Sequence, residues 1–173
     1  MRSLSIVALS AAALSFACTE TATGPDLVGV WQVTAHTENN TGCTPGPAVV
    51  DPPYLEFTQQ ELFGQTYFQW APCTSPTTCE MPNGLFGLSY AAPIPDGWEA
   101  QIYITSGDMT ACTLGATVST AVVGADGTLT ITTRISERTG VTGTACETDE
   151  AQAALEANQM TCIGLEVITA SRI

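Results

Sequence analysis

The 173-residue chain carries 17 acidic residues against four basic residues and contains no lysine, so its formal net charge is −13. A surface this acidic repels nucleic acid and anionic lipid head groups, because binding to phosphates depends on clusters of Lys and Arg. The composition therefore excludes a nucleic-acid partner and purely electrostatic docking on a membrane.

The first 17 residues have the pattern of an export signal. Arg2 places a positive charge ahead of an apolar run at residues 4–16, and the small residue Ala17 ends the run. The run is too short to cross a bilayer, which takes roughly 20 apolar residues. We therefore predict that residues 1–17 are a signal peptide removed during export, and that the mature chain begins at Cys18.

Residues 14–18, with the sequence Leu-Ser-Phe-Ala-Cys, resemble the lipobox of bacterial lipoproteins. The resemblance implies an acyl anchor on Cys18, which would hold the protein on a membrane in the periplasm or at the cell surface. Ordinary secretory cleavage is the alternative and would release a soluble secreted protein. Residues 18–25 are small and polar, so we predict a flexible tether ahead of a single disulfide-braced β domain at residues 26–173.

Short runs of alternating apolar and polar residues after the tether predict an all-β fold. In the clearest run, residues 98–105, the side chains at positions 98, 100, 102 and 104 would share one face. Residues 110–123 and 128–137 form a predicted hairpin, because an Asp-Gly pair between alternating runs is a strong hairpin signal. One helix is predicted at residues 148–159. Further strands are predicted at residues 28–36, 54–58, 66–70, 85–91 and 161–172.

About eight strands separated by regular turn signals favour an eight-stranded antiparallel barrel, with a β-sandwich as the second choice. Gly29 and Trp31 at the start of the first strand resemble the Gly-x-Trp signature of the lipocalin and calycin barrels. In that family an Arg of the final strand packs across the Trp ring, which implies a contact between Trp31 and Arg172. An eight-stranded barrel can also hold one small ligand.

Six cysteines remain when Cys18 is set aside, and an even number can close into three disulfides in an oxidising compartment. Their spacings contain no Cys-x-x-Cys motif, so no metal site is predicted. The predicted pairs are Cys73–Cys79 across a Pro-rich loop, Cys146–Cys162 around the helix, and Cys43–Cys112 as a long-range bridge.

His36 is the only histidine of the chain, and a solvent-facing position at a strand end explains it without catalysis. No catalytic residue and no cofactor is predicted, because a nucleophile and base pair would have to be built on this one imidazole. We expect a monomeric, non-enzymatic binding protein of the cell envelope, whose partner is a small apolar ligand or an envelope protein. The alternative is an inhibitor or envelope assembly accessory that acts through its loops, and the third possibility is a soluble secreted protein of unknown activity.

Overall fold

A computed structural model describes residues 24–62, 64–82 and 88–173, which form one antiparallel sheet of nine strands and one short α-helix. The predicted all-β class, with a helix before the last strand, is confirmed. The strands are β1 Gly29–Asn39, β2 Tyr54–Leu62, β3 Gln65–Ser75, β4 Thr78–Cys79, β5 Ala92–Ile94, β6 Gly97–Asp108, β7 Ala111–Val123, β8 Thr128–Val141 and β9 Thr161–Arg172, and the helix α1 is Thr148–Glu156.

The strand order in the sheet is β4-β3-β2-β1-β9-β8-β7-β6-β5. Phe68 of β3 and Tyr90, which precedes β5, form an isolated bridge between the two halves of this order. In the bridge each backbone amide donates to the carbonyl oxygen of the other residue, at 3.0 and 2.9 Å. Among the described residues the sheet is not closed into a barrel, so the expected barrel is not confirmed.

One face of the sheet, here called the inner face, buries the main apolar core. Directly paired residues of neighbouring strands lie on the same face, and the pairs Trp31–Leu55 and Ile131–Ile168 identify this one. On the predicted buried side of β6, Ala100 is 1 % exposed, whereas Ile104, predicted on the same side, is 57 % exposed. The core comprises Leu27, Trp31, Leu55, Phe57, Phe68, Tyr90, Ala100, Ala121, Leu129, Ile131, Ile168 and Ala170.

The opposite, outer face of the sheet is covered by α1 over β6 and β7. Leu114 of β7 packs there against Ala151 and Ala154 of the helix. The helix ends three residues earlier than predicted, because Asn158 adopts a positive φ of 55° and cannot continue a right-handed helix. The amide groups of residues 157, 158 and 159 cap the last turn by donating to carbonyl oxygens of residues 153, 155 and 154.

The predicted hairpin of β7 and β8 is present, with its turn at residues 124–127. Gly124 donates to Thr128 O at 2.8 Å, and Gly127 donates to Gly124 O at 2.9 Å. Gly127 has a φ of 78°, a conformation that glycine adopts without steric cost. The turn therefore depends on the Asp126-Gly127 pair from which it was predicted.

The strand predicted at residues 85–91 is only partly testable. Residues 83–87 lie outside the described residues, as do residues 1–23 with the signal peptide, Cys18 and most of the tether. In the described remainder, Tyr90 makes the bridge to Phe68, and the regular strand in this region is β5 at Ala92–Ile94.

Three disulfides cross-link the sheet, and one of the three predicted pairs is confirmed. Cys73–Cys79 joins β3 to β4 as expected. The other two predicted pairs, Cys43–Cys112 and Cys146–Cys162, are wrong because the partners are exchanged. Cys43 follows β1, and β1 lies beside β9, where Cys162 is located. Cys112 begins β7 opposite Val141, close to the turn that carries Cys146. The bonds formed are Cys43–Cys162, Cys73–Cys79 and Cys112–Cys146.

Disulfides of this number indicate an oxidising environment, as found outside the cytoplasm. Within the described part of the chain, none of the helices has the length and apolar character needed to span a bilayer.

Candidate functional site

Residues 24–28, here called the strap, lead into β1 across one end of the inner face. Four successive strap carbonyl oxygens accept hydrogen bonds from side chains of β1, β6 and β9, so the segment is fastened along its length. Such bonds satisfy backbone groups that have no partner in a sheet. The donors are Trp98 Nε1 to Pro25 O at 2.7 Å, Arg172 Nη2 to Asp26 O at 3.0 Å and to Val28 O at 2.7 Å, and Trp31 Nε1 to Leu27 O at 3.0 Å.

The three signature residues named in the sequence analysis meet at this end of the sheet. Trp31 is 2 % exposed and is paired in register with Arg172. Arg172 Cζ lies 5.0 Å from the centroid of the Trp31 ring, the contact that the resemblance implied. Gly29 has a φ of 125°, which glycine tolerates and other residues rarely adopt. Arg172 also lies 3.8 Å from an Asp26 carboxylate oxygen, but both side chains are largely exposed and such pairs contribute little.

A cleft of about 500 Å³ opens beside the strap, where β3 and β6 approach each other. The rings of Phe68 and Trp98 meet there with centroids 4.9 Å apart and planes inclined at 55°. Ligand sites are commonly concave and mainly apolar, with a few polar groups that fix orientation. The lining here has that mixture. It comprises Gly24, Pro25, Asp26, Gln59, Gln65, Thr66, Phe68, Ala91, Pro93 and Trp98.

A row of buried polar groups crosses the middle of the inner face. Tyr90 is 0 % exposed, and its Oη lies 2.8 Å from Ser119 Oγ, which in turn lies 2.8 Å from Thr133 Oγ1. Burial raises the pKa of Tyr90 to about 12, although its hydrogen bonds to Ser119 and Trp70 act in the opposite direction. The row is therefore uncharged at neutral pH, and each hydroxyl group in it is hydrogen-bonded, as buried polar groups generally are.

His36 is buried, so its expected solvent-facing position is wrong. Its side chain is on the inner face, because His36 is paired with Ile168, and residues 47–49 form backbone hydrogen bonds along the edge of β1 at this point. Nδ1 lies 2.6 Å from Asp51 O, and Nε2 lies 3.0 Å from Glu166 Oε1. Both ring nitrogens are thus engaged in linking β1 to β9 and to the loop at Asp51.

The side chains that line the cleft beside the strap are apolar or uncharged, apart from Asp26. The lining supplies aromatic rings, amide groups and a single carboxylate, while the imidazole of His36 is engaged elsewhere. In the part of the chain that the structure describes, no group of three or more His, Cys, Asp or Glu side chains could hold a metal ion.

The contact of Trp31 with Arg172 was predicted, but the cleft beside it was not. Neither the strap nor the lining residues Gln59 and Gln65 were singled out by the sequence patterns. The cleft forms because β3 and β6 approach each other, and the sequence of either strand alone does not predict that approach. Cys18, the predicted lipidation site, lies outside the described residues.

No protein-family model, no curated protein and no solved structure matches this chain.

Proposed function

We propose that this chain is an exported, lipid-anchored binding protein of the cell envelope that takes a small apolar ligand in the cleft between the strap and the Phe68 and Trp98 rings. The cleft is the observation that supports this proposal most directly. Its volume is in the range typical of small-ligand sites, and its apolar lining with a few amide and hydroxyl groups suits a ligand that is largely hydrocarbon. No catalytic step is part of the proposal.

The position of the strap relates the cleft to the proposed anchor. Cys18 precedes Gly24 by six residues, and Gly24 lines the cleft. An extended chain spans at most about 3.5 Å per residue, so an acyl group on Cys18 would hold the cleft within about 20 Å of the membrane surface. A ligand drawn from the bilayer, or delivered to it, would then have a short path.

The fold part of the proposal is a barrel of the calycin type that is incompletely closed, with a β-sandwich as the second choice. Two observations support it. The Phe68–Tyr90 bridge links β3 to the segment beside β6, and the Trp31 and Arg172 contact lies at the end of the core where the family places it.

A second candidate function is an inhibitor or envelope assembly accessory that acts through its loops. The Cys73–Cys79 disulfide favours it, because the bond fixes the β3–β4 hairpin next to Met81, whose side chain is 88 % exposed. A rigid, exposed apolar tip of this kind suits contact with a protein partner.

The test fills the cleft with a side chain and measures binding of a neutral apolar dye, N-phenyl-1-naphthylamine, by fluorescence. The full chain with Cys18→Ser serves as the parent, because it avoids detergent. Ala91→Trp places an indole in the cleft, while Ala125→Trp places one in the exposed β7–β8 turn. We expect saturable binding by the parent and by Ala125→Trp, and affinity lower by about tenfold or more in Ala91→Trp.

Near-ultraviolet circular dichroism and a count of free thiols check that all three proteins are folded and oxidised. Equal affinity in the two Trp variants would remove the cleft as the site. Absence of saturable binding to the parent would favour the loop-acting candidate.

A further inference from the structure

The outer face of the sheet carries a second cleft, of about 400 Å³, beside the C-terminal end of α1. It is independent of the cleft proposed above, which opens beside the strap. Its floor is formed by two pairs of neighbours on β7 and β8, Val118 with Arg134 and Thr120 with Thr132. On β9, Leu165 is the neighbour of Arg134 and Val167 is the neighbour of Thr132. Leu155 and Asn158 of the helix end provide the wall.

Arg134 is the unusual member of this cleft. Of the three arginines in the described residues, it alone has no hydrogen bond, ion pair or ring contact. Arg138 donates to Gln159 Oε1, and Arg172 is held by the strap and Trp31. Arg134 is exposed, so its guanidinium group is open to a ligand that approaches from solvent.

The surroundings of Arg134 leave its charge available to a ligand. The neighbours of Val118 and Thr120 on β6 are Gln101 and Glu99. The Glu99 carboxylate lies two strands from Arg134 and accepts a hydrogen bond from Gln101. Glu156 of the helix acts on Tyr103 of β6, whose pKa is raised by burial and then by Glu156 and Glu99. The last helical carbonyl groups are capped by backbone amides, so they do not require Arg134 as a partner.

We propose that this cleft binds a single-chain amphiphile with a carboxylate head, such as a medium-chain fatty acid. The guanidinium group would bind the carboxylate through two parallel hydrogen bonds, and the hydrocarbon chain would lie against Val118, Leu165 and Leu155. A monoanionic head suits the site better than a dianionic phosphate, because the net charge of −13 repels the second charge.

Titration of the full chain carrying Cys18→Ser with dodecanoate, by calorimetry and by amide chemical shifts, tests the proposal. We expect saturable binding, shifts centred on Val118, Thr132 and Asn158, and at least about tenfold weaker binding of dodecanol, which lacks the charge. Arg134→Gln should weaken dodecanoate binding by a similar factor. Arg134→Lys should restore part of it, because a cation without the planar fork keeps the charge attraction alone.

Arg138→Gln is the matched control, since it removes an exposed arginine from the same strand and should leave binding unchanged. Ala91→Trp separates the two clefts and should also leave dodecanoate binding unchanged. Loss of binding in Ala91→Trp together with retention in Arg134→Gln would assign the ligand to the cleft beside the strap and overturn this proposal. Equal affinity for dodecanoate and dodecanol, or no binding of dodecanoate, would also overturn it.

Discussion

Tyr90 places a hydroxyl group at the centre of the inner face, beside Ser119 and with no exposure to solvent. Because its pKa is raised from 10.0 to about 12, ionisation is harder in the folded chain than in the unfolded chain. The unfolded state therefore loses this proton first as the pH rises. Stability contributed by the neutral phenol is complete below pH 10 and is lost between about pH 10 and about pH 12.

We predict that the unfolding free energy falls by about 2–3 kcal/mol from this group across that interval. Tyr90→Phe should remove this part of the decline, at a cost of about 1 kcal/mol at neutral pH from the lost hydrogen bonds. Urea unfolding at a series of pH values measures both effects. Tyr67→Phe is the control, because the Tyr67 hydroxyl contacts Gln60 on the exposed side of the hairpin. An identical alkaline decline in wild type and Tyr90→Phe would contradict the prediction.

The contact between Trp31 and Arg172 was expected from the resemblance to the Gly-x-Trp signature, and the structure contains it. The position of His36 was inferred from its local sequence alone and is wrong. Its burial depends on residues 47–53, a Pro-containing loop that returns along β1 and brings the Asp51 carbonyl group to the ring. The residues next to His36 in the sequence do not predict that this loop runs beside β1.

At the level of elements, the disulfides differ in how much each one stabilises the fold. Cys43–Cys162 closes a loop of 119 residues, whereas Cys73–Cys79 closes a loop of six. In the chain-entropy description, such bonds stabilise by about 5 and about 2 kcal/mol respectively, because the longer loop has more freedom to lose.

We predict that replacing Cys43 and Cys162 by Ala lowers the unfolding free energy by about 2–3 kcal/mol more than replacing Cys73 and Cys79 by Ala. Chemical unfolding of the two double variants beside the wild type measures the difference. Peptide mapping under non-reducing conditions should recover the three native pairs, and a peptide joining Cys43 to Cys112 would contradict the connectivity. A larger loss from the Cys73 and Cys79 variant would show that the short bond acts through native contacts.

Strand positions were predictable where alternation is local. The last strand has the predicted bounds, Thr161–Arg172. In β8 the alternation predicts Leu129, Ile131, Thr133 and Ile135 on one face, and Leu129 and Ile131 are buried there. Ile135 lies on that face as well but is 40 % exposed. Its paired neighbours are Thr117 of β7 and Gly164 of β9, and glycine has no side chain to cover it. The exposure of a strand residue thus depends on its partner strands, which the alternation within one strand does not show.

At the scale of the whole molecule, the cleft beside the strap draws its lining from segments that are far apart in the sequence. Residues 24–26, 59, 65, 66, 68, 91, 93 and 98 meet only because β3 and β6, distant in the strand order, approach across the inner face. Composition and periodicity were enough to predict the all-β class. A site of this kind could not be predicted from them, because it depends on the curvature of the whole sheet.

The proposed anchor is also a property of the whole chain and is tested by intact mass. Expressed with its leader in a bacterial host and isolated without reduction, the protein should begin at Cys18 and carry the mass of its acyl groups. It should also lack two hydrogens for each of the three disulfides. Cys18→Ser should move it from the membrane fraction to the soluble fraction. Recovery of the chain with Met1 in place and all thiols reactive to alkylation would contradict export itself.

The strap has a mechanical consequence for any pull applied through the chain that precedes Gly24. Such a load reaches the carbonyl groups of residues 25–28 before it reaches β1, and those groups are tied to β6 through Trp98 and to β9 through Arg172. The load is therefore shared among β1, β6 and β9. It does not separate β1 from its neighbour one hydrogen bond at a time. A domain that hangs from a moving surface would keep its first strand in place under stretching forces for this reason.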